Sequence, residues 1–215
     1  MLSIHADHIA PQAWRNGGGR TRELLVRPAG PDWKVRVSLA DIDADGPFSA
    51  FPGVERWFVV VQGAGVVLQF AGVERVMRWG DAPLCFDGEQ APACALINGP
   101  TRDLNLMLRG GVGAMRAVRH GEPWAEAFEE RGLFTLRAGH LQTLLSSADR
   151  EGAGAEGVAH QQATPPATQR VAAHTLLWTI GTPACRFVPD EPAEPAEPVG
   201  PAICGWWLGF SGTPS

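Results

Sequence analysis

Lysine is nearly absent from this 215-residue chain: of 18 basic side chains, Lys34 alone is a lysine and the rest are arginines. No run of Lys and Arg supplies a clustered positive field, and the net charge is -5 with a pI near 5.7. Phosphate groups need such a field, so a nucleic-acid or anionic-membrane partner is not expected. No apolar run approaches the roughly 18 residues that span a bilayer. Met1 to His8 lack the basic-then-apolar pattern of a secretory leader. The four cysteines, Cys85, Cys94, Cys185 and Cys204, are too far apart for metal-type spacing. They read as reduced, mostly buried thiols of a cytoplasmic protein, with Cys85 a small core residue of its strand.

Two kinds of catalytic signature are also missing. There is no G-x-S-x-G, and no His stands near a Ser or Cys in a recognisable nucleophilic arrangement. The glycines of Asn16-Gly17-Gly18-Gly19-Arg20 are followed by no GK[ST] and open no helix, so they do not form a phosphate loop. They suit either a sharp turn that places Trp14 in the core or a turn whose backbone also serves a pocket.

What is present is a succession of short apolar stretches divided by Gly, Pro and Asp, the pattern of many short strands. Hydrophobic residues at 45% and charged residues at 19% suit a globular chain. Trp33 to Ala40 alternates, with Trp33, Val35, Val37 and Leu39 on one face and Lys34, Arg36 and Ser38 on the other. Trp57 to Val61 and Val66 to Phe70 flank Gln62-Gly63-Ala64-Gly65, which predicts a hairpin. Their near-continuous apolar character predicts cover on both faces. Leu84 to Phe86, Ala93 to Ile97 and Leu104 to Leu108 continue the series, and Asn105 opposes Leu104, Leu106 and Leu108. Gly110-Gly111 marks a boundary between residues 1-112 and 113-215. Further strands are expected at Ala114 to Arg119, Phe134 to Ala138, Leu141 to Leu145, Thr175 to Ile180, Cys185 to Val188 and Ile203 to Phe210. The one helical candidate is Pro123 to Glu130. Of Trp206-Trp207, one ring is expected in the core and one at an edge. Residues 146-170 and the acidic, proline-rich 189-201 read as surface loops with little to bury. The fold class is all-β, a sandwich or barrel.

Three blocks carry a family resemblance. The first, Trp14-Arg15-Asn16-Gly17-Gly18-Gly19-Arg20-Thr21-Arg22-Glu23-Leu24, is similar to the WxNGGGxTREL opening of the HutD/Ves family. Trp33 to Ala40, running into Asp45-Gly46-Pro47-Phe48-Ser49-Ala50-Phe51-Pro52-Gly53, resembles its W-x-R-V-S-x-A…DGPFSxFPG segment. Phe86-Asp87-Gly88 with Gly99-Pro100-Thr101-Arg102-Asp103-Leu104-Asn105 resembles its FDG…GPxRDxN block. The resemblance implies a bicupin, two jelly-roll β-sandwich or barrel halves in one chain, and a link with histidine catabolism. Regulation through a small ligand is the role it suggests.

A metal-dependent cupin needs an HxH pair, a Glu and a distant His. The histidines here are His5, His8, His120, His140, His160 and His174, none in the first-half strands, and Glu55-Arg56-Trp57-Phe58 stands where HxH would fall. No metal or other cofactor is expected. Arg36 and Ser38 face either a barrel lumen or water; in a lumen Arg36 needs a partner, with Asp87 or a ligand carboxylate as candidates. Asn105 either bonds a neighbouring loop or orients a bound carboxylate or amide. The expected ligand site is Asn16, Arg20, Arg36, Ser38, Asp87 and Asn105, for a small carboxylate such as urocanate or formylglutamate. The alternative is a metal-independent hydrolase or isomerase with Asp87 as general base. A homodimer is a further possibility at this level.

Overall fold

A computed structural model describes residues 1–144, 167–181, 184–190 and 203–212. The described residues are all-β apart from two 3₁₀ turns, Ala6–His8 and Gly88–Gln90, and every strand pairing among them is antiparallel. One six-stranded sheet runs, in spatial order, β2 (Gln12–Ala13), β3 (Gly19–Arg27), β4 (Val35–Ile42), β11 (Thr101–Leu108), β6 (Glu55–Gln62) and β9 (Leu84–Asp87). A four-stranded sheet runs β5 (Gly46–Pro47), β10 (Ala93–Leu96), β7 (Val66–Phe70) and β8 (Val73–Met77). A five-stranded sheet holds β1 (Leu2–His5), β17 (Thr175–Ile180), β14 (Glu130–Thr135), β19 (Ile203–Ser211) and β12 (Val112–Arg119). The second four-stranded sheet holds β13 (Pro123–Trp124), β18 (Cys185–Pro189), β15 (Gly139–Thr143) and β16 (Thr168–Val171). No described helix is long and apolar enough to cross a membrane.

The two large sheets bury both faces, which explains why their strands read as apolar runs rather than clean alternations. Val35, Val37, Leu39, Val59, Val61, Leu104, Leu106 and Leu108 project from one face of the six-stranded sheet. They join Met115, Phe134, Leu176, Trp178, Trp206, Leu208 and Phe210 of the five-stranded sheet in one cluster. On the opposite face Ile42, Phe58 and Val60 meet Val66, Leu68, Met77 and Cys94 of the first four-stranded sheet. The five-stranded sheet repeats this with Val118, Leu133, Leu177, Cys204 and Trp207 against Val171 and Phe187. Each fully buried Leu, Val or Phe contributes about 1.5–3 kcal/mol. The period of two thus decides everything: shifting any central strand by one residue would exchange its two interiors.

Several expectations are corrected. Gln62 to Gly65 is no hairpin turn, because β6 and β7 lie in different sheets; Gly63 (φ 95°) and Gly65 (φ 125°) turn the chain from one layer to the other. Pro123 to Glu130 is not helical: Pro123–Trp124 pairs with β18, and Trp124 stacks on Trp207 with ring centroids 5.2 Å apart. Both Trp206 and Trp207 are buried, one in each of two clusters, since neighbours on a strand covered on both faces each find an interior. Trp33 leaves its alternation and packs with Val54 and Met107. Cys85 is exposed on edge strand β9, while Cys94 and Cys204 are buried. Residues 168–170 of the supposed loop belong to β16, and Pro189 closes β18 as a buried residue; 145–166 and 191–202 lie outside the described residues.

Trp206 sits fully buried between the large sheets. Trp206→Ala leaves a cavity there and is expected to cost about 3–5 kcal/mol, read as a lowered urea midpoint at unchanged slope.

Candidate functional site

Three adjacent strands place polar groups on the face of the six-stranded sheet that looks toward the smaller sheet. In β11, Asn105 lies opposite Ser38 of β4 and Phe58 of β6, and Met107 lies opposite Arg36 and Arg56. Arg36, Ser38, Arg56, Asn105 and Met107 are therefore side by side, and all line a cavity of about 720 Å³. Its other walls come from two loops, with Trp14 and Asn16 on one and Phe48, Ser49 and Phe51 on the other.

Arg56 is the group that sequence reasoning missed. It is 7% exposed, and its Nε and Nη2 donate to Asn105 Oδ1 at 2.9 and 2.7 Å. Its guanidinium carbon stands 4.4 Å from the centre of the Phe48 ring and 5.5 Å from that of Phe86. Burial pulls its pKa down to about 10, against the field of Asp103, so it stays cationic at neutral pH. The two bonds occupy Asn105 Oδ1 and thereby fix the amide's orientation, leaving its NH₂ free of any hydrogen bond among the described residues. Arg56 shares its strand face with Phe58 and Val60, and that alternation is the signal that could have found it.

Asp103, two residues before Asn105 on the same face, is fully buried, and neither carboxyl oxygen has a hydrogen-bond partner among the described residues. Burial pushes its pKa well above the ordinary carboxyl range, opposed by the field of Arg56.

Of the six residues expected at the site, Asn16, Arg36, Ser38 and Asn105 line this one cavity. Arg36 Nε lies 3.0 Å from Glu23 Oε2, so its partner is Glu23 across the β3–β4 pair, not Asp87. Asn16 Oδ1 accepts from Gly18 N at 3.1 Å, folding the glycine stretch into a turn that also forms the cavity wall. Trp14 Nε1 donates to Thr21 Oγ1 at 2.8 Å, and a Cβ on Gly19 would strike the Asp41 carbonyl and the Trp14 ring.

Arg20 and Asp87 are not brought there. Asp87 is exposed, and its carboxylate accepts from Glu89 N at 2.9 Å as the cap of a 3₁₀ turn. Arg20 points from the sheet's other side to Asp41, which accepts from Arg20 Nε at 3.0 Å, Arg22 Nη1 at 2.6 Å and Arg102 Nε at 2.6 Å. Burial raises the Asp41 pKa, but the bonds from Arg102, Arg22 and Arg20 overcome this and hold it at about 2. Among the described residues no group of three or more His, Cys, Asp or Glu side chains is arranged to hold a metal ion.

The HutD family model matches residues 6–178. Over 98 residues the chain is 38% identical to the protein Ves of Citrobacter koseri, covering 45% of this chain and 51% of that protein. Over 108 residues it is 40% identical to an uncharacterized 21.2 kDa protein in the hutC 3′ region of Pseudomonas putida, covering 48% and 56%. The matched segment thus spans about half the length of these curated relatives. Among solved structures, HutD from Pseudomonas fluorescens SBW25 superposes with a TM-score of 0.71 at 22% identity, covering 98% of this chain and 97% of that one. A conserved protein of unknown function from Pseudomonas aeruginosa PAO1 gives 0.75 at 22%, covering 99% of both. Oxalate decarboxylase of Bacillus subtilis gives 0.55 at 9%, covering 99% and 77%; likenesses this remote speak for a cupin-like fold alone.

The two buried carboxyls have opposite linkage. Asp41, whose pKa is lowered by folding, contributes stability that is complete above about pH 4 and lost as pH falls toward 2. Asp41→Asn is expected to cost roughly 2 kcal/mol at pH 7. Asp103, whose pKa is raised, loses stability as pH climbs above its unfolded value. Asp103→Asn is expected to raise the denaturation midpoint at pH 7, with the gain vanishing near pH 3; a lower midpoint at pH 7 would contradict a raised Asp103 pKa.

Proposed function

We propose that this chain, which belongs to the HutD family, binds a small carboxylate in the cavity between its six-stranded and first four-stranded sheets and acts in regulation of histidine utilisation. The observation that carries the reading is the immobilised Arg56 guanidinium, buried on the Phe48 ring and tied to Asn105 with no carboxylate bonded to it. Asp103 makes no hydrogen bond to that guanidinium, and burial disfavours the ionised form of its carboxyl, so a ligand anion is the natural group to balance the charge. Arg36 is half-occupied by Glu23 at the rim, and Ser38 and the Asn105 NH₂ supply orienting bonds. A planar, bidentate carboxylate matches a guanidinium better than any single-point anion does. Trp14, Phe48 and Phe51 provide apolar cover for the rest of a molecule the size of urocanate or formylglutamate.

The family membership and the hutC-region relative in Pseudomonas putida support the histidine-pathway setting. In the same reading the four sheets are the two jelly-roll halves of a bicupin, divided near residue 112, with β1 placed in the sheet of the second half. The enzymatic alternative loses its proposed base, because Asp87 is exposed and outside the cavity.

Calorimetric titration with urocanate and with formylglutamate is expected to show binding to one of them. Arg56→Ala should weaken it at least a hundredfold and Arg36→Ala roughly tenfold, for loss of charged hydrogen bonds worth about 1.5–3 kcal/mol each. Absence of heat with both ligands, or affinity indifferent to Arg56→Ala, would sink the proposal.

A further inference from the structure

β8 is the outer strand of its four-stranded sheet, with no neighbour on its far side among the described residues. Four of its five residues are exposed. It carries Val73 and Val76, 44% and 45% exposed, and Trp79 at 44% follows just beyond it. Soluble proteins normally protect such an edge with proline, a bulge or covering chain. Here residues 73–79 contain no proline, and the β7–β8 register runs without a shift.

The pleat sorts these side chains. Met77 enters the apolar cluster between the sheets, so Val73 and Arg75 share its face, where both border a groove with Phe70 and Leu84. Glu74 and Val76 alternate onto the outer face, and Arg78 follows directly after the strand's last residue. There Val76 stands beside Val67 of β7, and Val67 beside Ala95 of β10, giving an apolar row that ends abruptly at the edge.

An antiparallel partner related by a two-fold axis must set one residue opposite its own copy, since opposed residues point to the same face. Centring on Glu74 opposes two carboxylates, and centring on Arg75 opposes two guanidiniums, both unfavourable. Centring on Val76 is different in kind. Val76 then meets Val76, Arg75 meets Met77, and Glu74 comes opposite Arg78, the residue just past the strand, while Trp79 lies in the Arg78–Asp81 turn beyond the ladder. Glu74 and Arg78 are matched in charge, Val76 is covered, and the Ala95–Val67–Val76 row continues into its own image. The backbone agrees. Ala71-Gly72 is a two-residue turn closing the pair Phe70–Val73, so residues 73, 75 and 77 bond toward β7 and residues 74 and 76 present their N–H and C=O outward.

We propose that two copies of this chain pair edge to edge through β8, antiparallel about a two-fold axis at Val76, joining their four-stranded sheets into one continuous sheet. The proposal stands apart from the ligand reading, because none of these residues lines the cavity.

Sedimentation equilibrium of the full chain tests it, with thermal melting of each variant to confirm folding. The unaltered protein is expected to dimerise, and Val76→Lys to give a monomer that melts as before. Glu74→Arg and Arg78→Glu each replace two attractive pairs by two repulsive ones, and each should weaken the dimer roughly tenfold or more. The double variant E74R/R78E restores opposite charges and should recover most of that loss. A monomer at every concentration, a dimer indifferent to Val76→Lys, or a double variant no better than the singles would overturn the pairing.

Discussion

The first half of this protein is organised around one guanidinium that has been taken out of water without a carboxylate bonded to it. Burying Arg56 is unfavourable unless its charge is solvated by something fixed, and the fold supplies Asn105 Oδ1 for two of its N–H groups and the Phe48 ring for its face. Each of those partners constrains the next element. Asn105 has to lie on the lumen side of β11, which sends Leu104, Leu106 and Leu108 to the opposite interior. Phe48 has to fold back from the loop after β5, which makes it part of the cavity wall. The same register that creates the polar floor therefore also builds the hydrophobic seam between the two large sheets.

A second carboxyl, Asp41, shows how differently the two faces of one sheet treat charge. It is nearly as buried as Arg56 but is surrounded by three arginines, so its negative form is the stable one. Asp103, on the other face and one strand away, has no hydrogen-bond partner among the described residues, and burial raises its pKa. The two carboxyls lie on opposite faces of one sheet, and the charge of Asp41 adds to burial in raising the Asp103 pKa.

Much of this was legible in the residues, and the failures have physical causes. The period of two along Leu104 to Leu108 and along Val35 to Leu39 places Asn105, Arg36 and Ser38 on one face, and the three strands are neighbours, so those residues share one cavity. Asn16 joined them because its turn abuts the same wall. Arg20 and Asp87 sit within equally distinctive motifs, but periodicity cannot say which side of a sheet faces the lumen, and both serve structure, one in the Asp41 cluster and one as a turn cap. Arg56 was passed over because a positive side chain was weighed as the absence of a metal ligand instead of as a cation in its own right. The sheet assignment of β6 and β7 was misjudged because a glycine-rich link between two apolar strands has the same composition whether it reverses within a layer or crosses between layers.

The placement of β1 has a consequence for how the molecule is made. Leu2 pairs with Trp178 and His5 with Thr175, so β1 finds its neighbour in a strand far along the chain. The valine and leucine face of the six-stranded sheet is covered only when the five-stranded sheet, which β1 borders, docks on it. Contacts between residues so far apart in sequence close slowly, so the seam between the two large sheets is a late event in folding.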